Sequence, residues 1–198
     1  MEGRYEAGKQ RVADILAAAK ATLVEGGYAQ LTLRRVASEA GIPLRHLQYY
    51  YPTKAELLRA VCESICNDYI AKCDAMAAQA HADPKSQFIA CVDYLIEDNR
   101  DPTSNAIMFE LSALSCHDKN AMRDVARLFD YYRAYIAELI RKMRPSASTE
   151  LIEVRALQVI ALIEGLAQFI GRDRPKIAAA RNIAEDARKS ILQIAMSK

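Results

Sequence analysis

Apolar residues recur along this 198-residue chain at the three- and four-residue spacing of helices, and no stretch shows the two-residue alternation of a strand. Val12, Ile15, Leu16, Ala19 and Leu23 mark one face of a first helix predicted over residues 5–25, with Gly26 and Gly27 as its stop. Thr32 is placed to cap a short second helix whose Leu33, Val36, Ala37 and Ala40 share a face, and Gly41 ends it. A third helix is predicted over 43–50, with Pro43 in its first turn, where a missing N–H does no harm. Thr53 and Glu56 have the spacing of a capping box and open a long helix reaching about residue 80. Further helices are predicted at about 84–99, 103–116, 119–143, 149–171 and 176–196, and all six prolines fall between apolar-periodic segments. The pattern is that of an all-α protein of about nine helices.

Residues 33–51, LRRVASEAGIPLRHLQYYY, carry the most chemistry. Ala37 and Gly41 suit two short helices that cross closely, because the crossing needs a small residue and the turn a positive φ. Ala-xxx-Gly alone is common in packed helical hairpins. Here, however, the outward positions are polar and basic: Arg34, Arg35, Arg45, His46, Gln48 and Lys54. Tyr49, Tyr50 and Tyr51 fan around a helix at about 100° per residue, so a single core face cannot absorb all three. In a helix-turn-helix the second helix enters the major groove, which here offers Pro43, Leu44, Arg45 and His46 to base edges. Exposed tyrosines beside arginines can bond phosphate or pack on a thymine methyl.

From about residue 15 to 61 the chain resembles the N-terminal domain of the TetR family of transcriptional regulators. The resemblance rests on Gly27-Tyr28, Leu31-Thr32, Arg34, Val36-Ala37, Ala40-Gly41-Ile42, Leu47-Gln48-Tyr49-Tyr50-Tyr51-Pro52-Thr53-Lys54 and Leu57-Leu58. It implies phosphate contacts from Thr32, Tyr50 and Lys54, with Arg34, residues 44–46 and Tyr49 facing the groove. Members often carry Ser-Lys-Gly-Thr where this chain has Pro43-Leu44-Arg45-His46. Leu44 cannot hydrogen-bond a base, so direct readout is expected chiefly from Arg45, to guanine. The expected division is a DNA-binding domain over 1–53 and a ligand-binding and dimerisation domain over 54–198.

Within the longer part, Leu157, Ala161, Gly165 and Phe169 recur every four residues and make a ridge with small residues at its middle. Ala180, Ala184, Ala187, Ile191 and Ile194 make a second narrow seam in the last helix. These are the expected homodimer interface, which the resemblance implies is a four-helix bundle and which predicts a palindromic double-stranded DNA operator. Tyr69, Cys73, Met76, Val92, Met108, Leu111, Leu128, Tyr132 and Tyr135 are candidates for lining an effector pocket, and the expected small-molecule effector is apolar or aromatic. The resemblance implies that ligand swings the long fourth helix, changes the separation of the two recognition helices and releases the operator.

Composition narrows the alternatives. The chain is 52% hydrophobic and 26% charged, enough for a sizeable core, and no apolar run is long enough to span a membrane. The acidic N-terminal segment Met1-Glu2-Gly3-Arg4-Tyr5-Glu6 is unlike a signal peptide, and a cytoplasmic location is expected. Net charge is +2, but residues 1–54 hold eight Lys/Arg against five Asp/Glu, so the excess lies at the end that is to meet DNA. No phosphate-binding loop, HExxH, GxSxG or metal-ligand cysteine spacing occurs, and His81 and His117 stand alone, so neither catalysis nor a cofactor is expected. Cys62, Cys66 and Cys73 share a helical stripe, which leaves a redox-sensing regulator as one alternative. A helical interaction module that has lost DNA binding is the other.

Overall fold

The fold follows from the way each apolar stripe finds a neighbour. The computed structural model describes residues 2–80, 83–171 and 182–197. Among them lie nine α-helices and no strand: α1 Glu2–Gln30, α2 Leu33–Glu39, α3 Leu44–Tyr50, α4 Lys54–Gln79, α5 Pro84–Asp98, α6 Pro102–Ser115, α7 Lys119–Met143, α8 Thr149–Ile170 and α9 Ile183–Met196. The all-α expectation holds. His81, Ala180 and the start of the predicted last helix lie outside the described residues. No described helix is long and apolar enough to cross a membrane.

Described residues gather into two compact units, one of residues up to 65 with 106–128, the other of 66–105 with residues from 129 onward. Helices α4, α6 and α7 therefore contribute residues to both. This grouping by contact is wider than the 1–53 segment that carries the DNA-binding signature.

In the first unit, α1 packs on α2 and α2 on α3. Ile15, Ala19 and Leu23 of α1 are buried with Leu31, Val36, Ala37, Ile42, Leu47, Leu57 and Val61. The helical run that begins at Glu2 stops at the Gly26-Gly27 pair, as expected. Gly27, whose φ of 65° and ψ of −175° only glycine adopts easily, breaks it, and a further short helical stretch runs on to Gln30. Thr32 caps α2 as expected, its hydroxyl accepting from the Arg35 N–H at 3.2 Å. At the other end the Ile42 N–H reaches the Ala37 carbonyl and the Gly41 N–H that of Ser38, a Schellman closure that needs the positive φ of Gly41. Pro43 stands one position earlier than expected, as the N-cap of α3 rather than inside its first turn. Thr53 and Glu56 satisfy each other's backbone N–H groups at 3.0 and 3.2 Å. Buried Asp124 is compensated by Arg59, 3.2 Å away.

In the second unit, α5, α8 and α9 pack together around Phe88, Val92, Leu95, Ile136, Ile140, Ile152, Val159, Ile163 and Ile191. Asp83 caps α5 and Ser148 caps α8. The expected seam on α9 is corrected here. Ala187 and Ile191 are buried in this core and Ala184 packs against it, because α5 and α8 of the same chain already cover that stripe.

A Cβ at Gly27 would lie 2.6 Å from the Glu110 carboxylate, in addition to the strain of the backbone. Gly27→Ala should therefore lower stability by about 2 kcal/mol in urea unfolding. Gly8→Ala, where a Cβ meets nothing within 4 Å, should leave stability unchanged or raise it.

Candidate functional site

The short helices α2 and α3 divide their side chains cleanly. Val36, Ala37, Ile42 and Leu47 face inward, so the two helices hold each other through small and branched groups. Outside are Thr32, Arg34, Pro43, Arg45, His46 and Gln48, all exposed, and Tyr49, which at 82% exposed stands almost free. Tyr50 is half-buried and meets the Tyr49 ring edge-on, with centroids 5.3 Å apart, so α3 ends in a braced aromatic pair. Leu44 is half-buried. Arg34 and Arg45 make no side-chain hydrogen bond or ion pair among the described residues, so their donors remain available for an anion.

Two of the expected cations are engaged within the chain. Arg35 bonds Gln30 and Glu25, each at 3.1 Å. The Lys54 ammonium donates to the Tyr28 carbonyl at 2.7 Å and sits 3.5 Å from the centre of the Tyr28 ring. Lys54 thus braces the turn after α1. Burial depresses its pKa and raises that of Tyr28.

The residues expected around an effector fall in both units. Leu111 and Leu128 are core of the first, where Met108 is half-buried. In the second, Cys73 and Val92 are buried, Tyr69, Tyr132 and Tyr135 are half-buried, and Met76 is exposed near the end of α4. Here lies a polar cluster that the apolar pattern did not reveal. Asp98 accepts from the Tyr69 hydroxyl at 2.7 Å and from that of Tyr94 at 3.4 Å, the two rings lying 6.3 Å apart. Tyr135 donates to Asp74 at 2.6 Å, and the Asn99 amide donates to the Ile163 carbonyl at 2.7 Å. The hydroxyl of Tyr132 is buried with no partner. Glu164, half-buried, has neither a hydrogen bond nor an ion pair among the described residues. Burial, and then the nearby Asp98, push its pKa up to about 7. Sequence reasoning missed Glu164, Asp98, Tyr94 and Asn99. One signal was available: Glu164 is the sole charged residue between Arg155 and Arg172.

Four of the five cysteines are buried thiols. Cys73 and Cys91 touch through their sulfurs at 3.0 Å inside the core, and that contact and burial raise the Cys91 pKa. Burial pushes Cys62 up to about 12 and raises Cys66 as well. Only Cys116 is exposed. No cluster of three metal-binding side chains occurs among the described residues.

On α8 the ridge expected at an interface faces outward. Leu157 and Phe169 are more than half exposed, with Val154 at 43% beside them, and Ala161 is exposed. A Cβ on Gly165 would meet nothing within 4 Å, so nothing in the chain itself requires glycine there.

Comparison with known proteins agrees with this geometry. Residues 15–61 match the family described as bacterial regulatory proteins, tetR family. Residues 89–193, more than half of the chain, match the C-terminal part of BetI-type transcriptional repressors. A comparison with curated proteins finds no match. Among solved structures, the chain is similar to a Rhodococcus sp. protein assigned to the TetR family of transcriptional regulators. The TM-score is 0.77 at 21% identity, covering 96% of this chain and 100% of that one. A TetR transcription regulator from Haloarcula marismortui gives a TM-score of 0.71 at 19% identity, covering 94% and 97%. A TetR-family member from Streptomyces coelicolor gives 0.65 at 19%, covering 93% and 97%. At these identities the likeness is one of fold.

Glu164 makes stability depend on pH in a definite direction. Its folded pKa of about 7 lies above the ordinary 4.5, so the folded state holds the proton longer than the unfolded one. Stability is therefore lost as pH rises from about 4.5 through 7, by on the order of 3 kcal/mol at completion. Urea unfolding at pH 5 and pH 7.5 should show a steeper loss for the wild type than for Glu164→Gln.

Proposed function

This chain belongs to the TetR family of transcriptional regulators, and we propose that it is a homodimeric repressor released from a palindromic operator by a small, largely apolar ligand. The observation that carries the DNA-binding side is the pair of exposed cations Arg34 and Arg45 on a helix-turn-helix, without a partner among the described residues, with Tyr49 beside them. A guanidinium without an internal partner gives up no bond when it meets phosphate or guanine, whereas Arg35 must first leave Glu25 and Gln30. Arg45 is the base reader, contributing about 1–3 kcal/mol of discrimination for guanine. Arg34, Thr32, Tyr49 and Tyr50 hold the backbone and set the register. Lys54 positions the turn that precedes α2.

In this reading residues 1–53 read DNA, and residues 54–198 pair the subunits and hold the ligand. The exposed ridge of Leu157, Ala161, Gly165 and Phe169 is the dimer contact, and Gly165 is the place where a second helix approaches closely. The ligand occupies the second unit near Tyr69, Cys73, Val92 and Tyr132. It acts by binding one of two states better than the other, the long α4 shifting between them. The protein works in the cytoplasm as a binding protein and not as an enzyme. Thiols held protonated by burial speak against redox sensing.

Arg45→Ala should weaken binding to the preferred duplex about 10-fold or more and relax the preference for guanine in each half-site. Wild-type affinity should fall by orders of magnitude between about 50 and 200 mM salt, which a protein-interaction module would not show. Undiminished guanine preference in Arg45→Ala would remove that residue from the role. Leu157→Glu with Phe169→Glu should yield monomers in analytical ultracentrifugation while the helical content stays; dimers of unchanged stability would place the interface elsewhere.

A further inference from the structure

A buried polar group without a partner costs about 1–3 kcal/mol, and folded proteins keep few of them. The Tyr132 hydroxyl of α7, in the second unit, is one, buried with no partner among the described residues. A half-buried carboxylate there, Glu164, likewise has no hydrogen bond or ion pair among the described residues. On α8 the carbonyl of Ile163, the residue before Glu164, accepts from the Asn99 amide at 2.7 Å. That bond brings Glu164 beside Asp98 of α5, which already accepts from both Tyr69 and Tyr94 and whose charge adds to burial in raising the Glu164 pKa. Neither Asp98 nor Glu164 has an ion pair with a described cation. The nearest cation recorded against the cluster is Lys72, on the Tyr94 ring at 5.7 Å from its centroid. Around these groups stand Cys73, Cys91 and Val92, all apolar and buried.

Resting on the effector-binding reading above, we infer that Glu164 and Tyr132 recognise the head group of the effector, and that this head group is a protonated amine bearing N–H donors on an apolar body. A carboxylate can only accept, so Glu164 calls for a donor. Two carboxylates without a paired cation disfavour an anion and favour a positive charge, which the Tyr69 and Tyr94 rings further attract. The Tyr132 oxygen takes a second N–H. A fully substituted ammonium supplies the charge but none of the donors, and an alcohol supplies one donor but no charge. Both leave part of the site unsatisfied. Binding also expels the proton that Glu164 otherwise retains near neutral pH.

Three probes of one shape separate these terms: benzylamine, benzyl alcohol and benzyltrimethylammonium, titrated calorimetrically into the full-length protein at pH 6.5. Benzylamine should bind at least 10-fold more tightly than either of the others. Buffers of different ionisation heat should show release of a substantial fraction of one proton. Glu164→Gln should abolish both the preference and the proton release, and Tyr132→Phe should reduce the preference several-fold with the proton release kept. Equal binding of all three probes, or none by benzylamine, would overturn the inference and indicate a site filled by water alone. Equal binding of benzylamine and benzyltrimethylammonium would overturn its hydrogen-bonding half. The same preparations are tested without probe on a duplex obtained by selection: loss of DNA binding there contradicts the regulator reading, whereas retained DNA binding without amine preference contradicts only the amine site.

Discussion

The helix-turn-helix depends on how firmly the backbone of one residue, Tyr28, is held on both sides of its Cα. Its N–H donates to Glu110 of α6 at 2.6 Å, and its carbonyl accepts from Lys54 at the start of α4 at 2.7 Å. Gly27, in a conformation open essentially to glycine, turns the chain so that both bonds form together. Charged partners make such bonds about twice as strong as neutral ones, and here one end meets an anion and the other a cation. The exit of α1 and the approach to α2 are thereby fixed by side chains from two helices outside the DNA-binding motif. A displacement of α4 or α6 has a direct handle on the turn that sets the position of α2 and α3.

Side-chain engagement separates groups that build the protein from groups left for something else. Arg35, Lys54 and Arg59 are cations with internal partners, and they brace turns and compensate a buried carboxylate. Arg34 and Arg45 have none among the described residues and are exposed. In the second unit, Asp98, Asp74 and Asn99 complete hydrogen bonds within the chain, while Glu164 and Tyr132 do not. Free donors on the outside suit a polyanion, and a free acceptor in the interior suits a small donor. The two sets have opposite sign and different depth.

The helices were legible because each element carries its own punctuation. Thr32, the Thr53–Glu56 box and the glycine at 41 set their boundaries through bonds among near neighbours, which sequence spacing reports directly. Errors arose where a local signal had two outcomes. Pro43 caps α3 rather than entering it. The small-residue stripe of α9 could face a partner or its own core, and only tertiary packing decides that Ala187 and Ile191 go inward. The polar cluster was illegible for another reason. Tyr69, Asp98, Tyr132 and Glu164 come from four helices, so no spacing along the chain brings them together. A lone glutamate in an apolar stretch was the one mark it left.

Selection from a pool of random duplexes by the purified protein tests the central claim most directly. The account requires recovered sequences to share an inverted repeat, with guanine in each half and half-site centres at least about one helical turn, 10 base pairs, apart. Recovery of sequences with no common element, or of a single unrepeated site bound by one subunit, would contradict it.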